Sequence, residues 1–121
     1  MTHVLIADDH ADIRRLLCVT LSNEYLLLEA SDGVSALDMV RRFHPRVVLL
    51  DVILPGGMDG FQVLQAIKSD ALTQNIRVAM ISVRGQVVDQ QMAEKLGADA
   101  YFVKPFSALQ VKDWIRKQIH P

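Results

Sequence analysis

The chain of 121 residues has one cysteine, four prolines, 6% aromatic residues and almost no surplus of charge of either sign. Each shortage excludes something. A lone Cys18 forms no internal disulfide and no cysteine-based zinc site; in the first helical stretch it reads as a small apolar side chain. Lysine and arginine number 13 against 14 acidic residues, a formal net charge of −1. That leaves no basic excess for a phosphate backbone, so nucleic acid is not an expected direct ligand. No apolar run approaches the ~20 residues that span a bilayer, so no membrane contact is expected. Met1-Thr2-His3, followed by acids at Asp8 and Asp9, does not read as a signal peptide. The expectation is a soluble, cytoplasmic protein of a reducing compartment. What is present points to a packed fold. Half of the residues are hydrophobic and 22% are charged, unlike a disordered tail. The length suits one domain, residues 1–121, able to bury roughly two thirds of its unfolded surface.

Apolar runs and helix-periodic segments alternate. The runs are Val4–Ala7, Tyr25–Leu28, Val47–Leu50, Ile76–Ile81 and Ala100–Val103. Between them, apolar residues recur at helical spacing: Ile13, Leu16, Leu17 and Leu21; Val34, Leu37, Val40 and Phe43; Phe61, Val63, Leu64 and Ile67. Val87 to Leu96, ending at Gly97, and Leu109 to Ile119, with Trp114 on the apolar face, complete the set. Asp59 and Ser107 are placed to cap the third and fifth helices. Strands without polar alternation are strands buried on both faces. Five βα units imply a parallel sheet covered by helices on both sides, with the doubly wound strand order 2-1-3-4-5 the leading topology.

In such a sheet the working residues stand beyond the carboxyl ends of the strands, where strand order reverses. There the sequence places Asp8 and Asp9 after the first strand, Asp51 at the third, Ser82 at the fourth and Lys104 at the fifth. Each alone has an ordinary use: a helix cap, a turn residue, a serine after a strand, a solvated lysine. Four of five strand ends carrying such residues are hard to explain as turns. Like charges ~4 Å apart cost about 4 kcal/mol per pair at an effective dielectric of ~20. Three gathered carboxylates therefore call for raised pKa values or a cation. Oxygen ligands favour a hard ion, Mg²⁺ or Mn²⁺. His3, His10, His44 and His120 lack ligand spacing and are read as surface or turn residues. Asp12, Asp32 and Asp59 are read as caps or surface acids.

Ile6-Ala7-Asp8-Asp9, Asp51-Val52-Ile53-Leu54-Pro55 with Met58-Asp59-Gly60, Met80-Ile81-Ser82 and Tyr101-Phe102-Val103-Lys104-Pro105-Phe106 resemble, in order and spacing, the receiver domain of two-component response regulators. The resemblance covers essentially the whole chain and implies a flavodoxin-like α/β fold. It implies that Asp51 accepts a phosphoryl group. It implies that Asp8, Asp9, Asp51 and the Ile53 carbonyl hold Mg²⁺, that Ser82 and Lys104 bind the phosphate, and that Tyr101 follows Ser82. The implied donor is a sensor histidine kinase or histidine phosphotransfer protein. The implied receiver of the signal is a protein effector or an output domain that the sequence does not contain, acting through the surface of the fourth helix, fifth strand and fifth helix. Dimerisation through that surface on phosphorylation is a further expectation. Lys104-Pro105 is a candidate cis bond, raised by the resemblance above the roughly 5–6% base rate of X-Pro bonds.

Three positions depart from the commoner family pattern. The loop after Asp51 has an extra glycine, Gly56-Gly57, read as a tolerated insertion. Val83 stands where a small residue is usual, and Arg84 follows, able to face either the phosphate or solvent. With Ile53, these two are candidates for slowing attack of water on the acyl phosphate. Two competing classes fare worse. A haloacid-dehalogenase-type phosphatase wants a second Asp two residues after the nucleophile, where Ile53 stands. A flavin module wants a Ser/Thr-rich phosphate loop after the first strand, where Asp8-Asp9-His10 stands.

Overall fold

A computed structural model describes residues 1–120. Strands β1 (Thr2–Ala7), β2 (Tyr25–Ala30), β3 (Val47–Asp51), β4 (Arg77–Ser82) and β5 (Ala100–Val103) form one parallel sheet in the order 2-1-3-4-5. Helices α1 (Ala11–Leu21), α2 (Gly33–Phe43), α3 (Gly60–Ser69), α4 (Val87–Lys95) and α5 (Ala108–Ile119) connect or follow them.

Strand pleating sorts the apolar runs into two cores, because successive side chains point to opposite faces. Leu5, Ala7, Val48, Leu50, Val78 and Met80 face α2, α3 and α4, meeting Leu37, Val40, Val63, Leu64, Ile67 and Ala93. Val4, Ile6, Val47, Leu49, Ala79 and Ile81 face α1 and α5, meeting Leu17, Leu21, Val111, Ile115 and Ile119. Trp114 and Cys18 pack at the edge of this second core, and Phe102 meets the Trp114 ring edge-on at 6.2 Å. The unbroken apolar runs of β1, β3 and β4 thus follow from burial on both faces, whereas the edge strands β2 and β5 leave Leu26 and Val103 exposed.

The capping expectations hold where a side chain accepts an N–H bond. Asp59 caps α3 in a full capping box with Gln62, and Ser107 caps α5. Asp32 caps α2 through Ser35. The cap reading of Asp8 and Asp9 is corrected: the N-cap of α1 is His10, and its side chain makes no cap bond. Four residues expected on packed helix faces are instead exposed: Leu16, Val34, Phe43 and Leu109. Val34, Phe43 and Leu109 stand at helix ends, where the packed stripe has run out. Leu16 lies one residue off the stripe that Leu17 and Leu21 bury.

Parallel pairing sets neighbouring strand ends level. Ala7 is beside Leu50, Asp51 beside Ile81, and Ser82 beside Val103. The reversal of strand order falls between β1 and β3, so the residues that follow β1 open beside Asp51.

Candidate functional site

The site is assembled at the carboxyl edge of the sheet. The Asp8 N–H still bonds the Ala30 carbonyl at 3.0 Å, so Asp8 continues the ladder of β1 for one residue before the chain turns into α1. Arg14, one turn into α1, holds the Asp8 carbonyl at 2.7 Å. The Asp8 side chain is fully buried and the Asp51 side chain nearly so. The peptide between Asp51 and Val52 is braced from behind by Gly60. A Cβ at Gly60 would lie 2.0 Å from the Asp51 carbonyl oxygen, so only glycine lets α3 start this close to the strand end. The adjacent Gly56 and Gly57, one of them the extra glycine, take φ of 89° and 86° in an exposed loop.

Lys104 reaches into the pocket from the end of β5, its side chain only 8% exposed. Its Nζ donates to Asp51 Oδ2 at 2.8 Å. It also stands 2.7 Å from Asp8 Oδ2. That second contact is one of charge alone: Asp8 Oδ2 is buried and makes no hydrogen bond among the described residues. Asp51 Oδ1 accepts from the Ile53 N–H at 3.1 Å. The peptide between Lys104 and Pro105 is cis.

Burial pushes the Asp51 carboxyl above its ordinary value; bonds from Lys104 and the Ile53 N–H pull it down, and the nearby Asp8 pushes it up again. Burial works to lower the Lys104 ammonium, but its bond to Asp51 and the negative charges of Asp51 and Asp8 outweigh that and leave it raised. One ammonium thus shares two buried carboxylates, and the pocket remains short of positive charge.

Asp8, Asp9, His10 and Asp51 each present a ligand atom within 4.8 Å of the others. Three carboxylates, one with a buried oxygen lacking a hydrogen bond, form a donor set that suits a hard divalent cation. His10 is a surface residue, as read from sequence, but it also joins the acidic cluster. Though exposed, its Nδ1 lies 3.0 Å from Asp8 Oδ1 and 3.2 Å from Asp9 Oδ1. The available signal was its place directly after two acids and before a helix.

Ser82 is buried, and its Oγ accepts the Arg84 N–H at 3.1 Å. The Tyr101 hydroxyl donates to the Arg84 carbonyl, so Ser82 and Tyr101 meet through one peptide segment. Of the two directions considered from sequence, Arg84 takes the one toward solvent. Its guanidinium pairs with Asp89 on α4 at 3.1 Å. Ile53 and Val83 are exposed. Val83 lines a cavity of about 310 Å³ with His10, Asp12, Ile13 and Lys104.

The doubly wound sheet and its switch-point acidic pocket define the class of fold. Residues 4–116 match the family model of the response regulator receiver domain. Sporulation initiation phosphotransferase F of Bacillus subtilis (strain 168) is 37% identical over 117 residues, covering 96% of this chain and 92% of that protein. The phosphate regulon transcriptional regulatory protein PhoB of Escherichia coli (strain K12) is 37% identical over 105 residues, covering 86% of this chain. The chain spans 45% of that regulator's length, and less than half of several other curated relatives. Among solved structures, chemotaxis protein CheY4 of Vibrio cholerae matches with a TM-score of 0.88 at 26% identity, covering 97% of this chain and 98% of that one. A CheY-like receiver domain protein of Methanospirillum hungatei JF-1 shares the fold, with a TM-score of 0.90 at 22% identity, covering 98% and 94%. The chain belongs to the response regulator receiver domain family. No helix among the described residues is long and apolar enough to cross a membrane.

Proposed function

We propose that this chain is a phosphorylation-controlled signalling switch of a two-component system, with Asp51 as the phosphoacceptor. The observation that carries the reading is the buried Asp51 carboxylate, held by Lys104 and the Ile53 N–H beside Asp8 and Asp9. Asp8, Asp9, Asp51 and the Ile53 carbonyl would hold Mg²⁺ or Mn²⁺, which neutralises charge on the carboxylates and on a phosphoryl group. An Asp51 oxygen attacks phosphorus of a phosphohistidine on a sensor histidine kinase or phosphotransfer protein. The P–N bond breaks and its electron pair stays with the imidazole. A carboxylate suffices as nucleophile because phosphoryl transfer depends mainly on positioning and charge. Lys104 passes from Asp51 Oδ2 to a phosphoryl oxygen. The Ser82 hydroxyl, which accepts from Arg84, keeps its own proton to donate to another.

Movement of Ser82 then pulls on the Arg84 peptide segment, which holds the Tyr101 hydroxyl. This couples the phosphate to the surface of α4, β5 and α5, and so to a protein effector or output domain in the cytoplasm. We extend the reading to dimerisation on that surface. Sedimentation with a beryllofluoride phosphate mimic should show a mass increase, and an unchanged mass would count against it.

The phosphatase reading lacks its second acid, because Ile53 is an exposed aliphatic side chain. Val83 lines the cavity beside Lys104, Ile53 stands exposed two residues after Asp51, and the Arg84–Asp89 pair anchors the loop that carries Val83. We assign these three residues to slowing hydrolysis. The Val83→Ala/Arg84→Ala variant should lose its phosphoryl group faster than the parent; equal rates would refute the assignment. Incubation with Mg²⁺ and acetyl phosphate should give a stoichiometric, alkali-labile phosphate that Asp51→Asn abolishes. Steady turnover of phosphate esters would point to a hydrolase instead.

A further inference from the structure

We propose that His10 makes the acidic pocket a mixed oxygen–nitrogen site, which holds a late first-row divalent ion such as Co²⁺, Ni²⁺ or Zn²⁺ far more tightly than carboxylates alone would. The inference rests on the reading that this pocket holds a divalent cation, and it concerns which ion the chain selects.

The first argument is the direction of the side chain. His10 is the N-cap of α1, a position whose side chain ordinarily turns toward the free N–H groups of the first turn. Here it makes no cap bond. The ring is turned back over the acids, with Nδ1 at 3.0 Å from Asp8 Oδ1 and 3.2 Å from Asp9 Oδ1. The second argument is spacing. Two donors bound at about 2.1 Å to one ion, at right angles or tetrahedral angles, stand about 3.0–3.4 Å apart. The imidazole nitrogen already has that separation from two carboxylate oxygens, and Asp51 completes a group within 4.8 Å. The third is the buried Asp8 side chain. Its Oδ2 makes no hydrogen bond, and the Lys104 charge beside it is shared with Asp51. A single ammonium, 2.7 Å from Asp8 Oδ2 and 2.8 Å from Asp51 Oδ2, serves two buried carboxylates, and buried charges are paired or coordinate metals.

Donor chemistry then decides the ion. Carboxylate and carbonyl oxygens suit Mg²⁺, whereas an imidazole nitrogen suits Zn²⁺, Ni²⁺ and Cu²⁺. Adding one nitrogen to three carboxylates raises affinity for the late ions and does little for Mg²⁺. The competing account is that His10 only ties the two acids together by hydrogen bonds. In that case its removal weakens every cation alike.

The test compares Ni²⁺ and Mg²⁺ affinity by calorimetry on the full chain and on His10→Ala and His10→Gln. Gln retains a hydrogen-bond donor but is a poor ligand for late ions. The Co²⁺-loaded chain is also followed by its visible absorption, which reports nitrogen ligation directly. Partners that merely support a ligand are worth roughly 10–100-fold in metal affinity, so losing a ligand should cost Ni²⁺ at least about tenfold. Mg²⁺ affinity should change much less in both variants, and the Co²⁺ spectrum should shift in both. Equal losses for Ni²⁺ and Mg²⁺, rescue by Gln, or an unchanged Co²⁺ spectrum would overturn the assignment. So would Ni²⁺ binding that survives Asp8→Asn/Asp9→Asn, since the ion would then sit elsewhere. A failure of the parent chain to bind Mg²⁺ at all would strike the switch reading itself, whatever the result with Ni²⁺.

Discussion

At the scale of single residues, Asp51 stands in an environment that opposes its own charge. Burial raises its carboxyl, and Asp8 adds to the rise. The sign follows from linkage. A carboxyl whose folded value lies above its unfolded value binds its proton better in the folded state, so its ionised form costs stability at neutral pH. Asp51→Asn should therefore stabilise the metal-free chain while it abolishes phosphorylation. The variant's urea midpoint should lie above the parent's. A loss of stability would show that the Lys104 bond outweighs the repulsion. The residues of this pocket were legible because strand order alone puts Asp8, Asp51, Ser82 and Lys104 at one edge. The directions of His10, Arg84 and Tyr101 were not. Each is settled by a local contact that spacing does not carry: two carboxylates for His10, Asp89 for Arg84, a backbone carbonyl for Tyr101.

At the scale of elements, the site depends on where α3 begins. Gly60 donates its N–H to the Val52 carbonyl at 2.8 Å and presses on Asp51 from behind. Gly60→Ala places a methyl group against backbone that cannot yield cheaply, and should cost about 1–3 kcal/mol, as overpacking does. It should also slow phosphorylation by displacing Asp51. Unchanged stability by urea unfolding would contradict the close approach. A second tie joins α5 to the turn before β2. Arg116, bonded to Glu24, brings the Glu24 carboxyl down from 4.5 to about 2, with Lys112 assisting. A depressed carboxyl contributes stability that is present above its unfolded value and lost as pH falls through the folded one. Glu24→Gln should therefore flatten the fall in stability between pH 4.5 and about 2, by an amount that salt reduces because the pair is exposed. An identical pH profile for variant and parent would contradict the tie. The strands were readable as elements because unbroken apolar runs mark burial on both faces. The helix faces were less so, since Val34, Phe43 and Leu109 keep the apolar period past the end of the packed stripe.

At the scale of the molecule, two cores on either side of one sheet hold the strand ends level, and the site is what that edge presents. The alternation of strand and helix implied this layering, and right-handed crossovers left few other orders. Composition did not reveal that α4 contributes only Ala93 to the buried core and leaves Val87, Val88 and Met92 exposed, because its apolar content looks ordinary in sequence. That lightly packed helix lies next to the Tyr101 and Arg84 contacts through which we propose the signal leaves the pocket. The account stands or falls on the chemistry at the edge. The most direct measurement is to treat the chain with acetyl phosphate, with and without Mg²⁺, and to locate the added phosphoryl group by mass spectrometry of proteolytic fragments. We predict one phosphoryl group, on Asp51, formed only with the divalent ion present. A phosphoryl group on another residue, or none with Mg²⁺ supplied, would contradict the account.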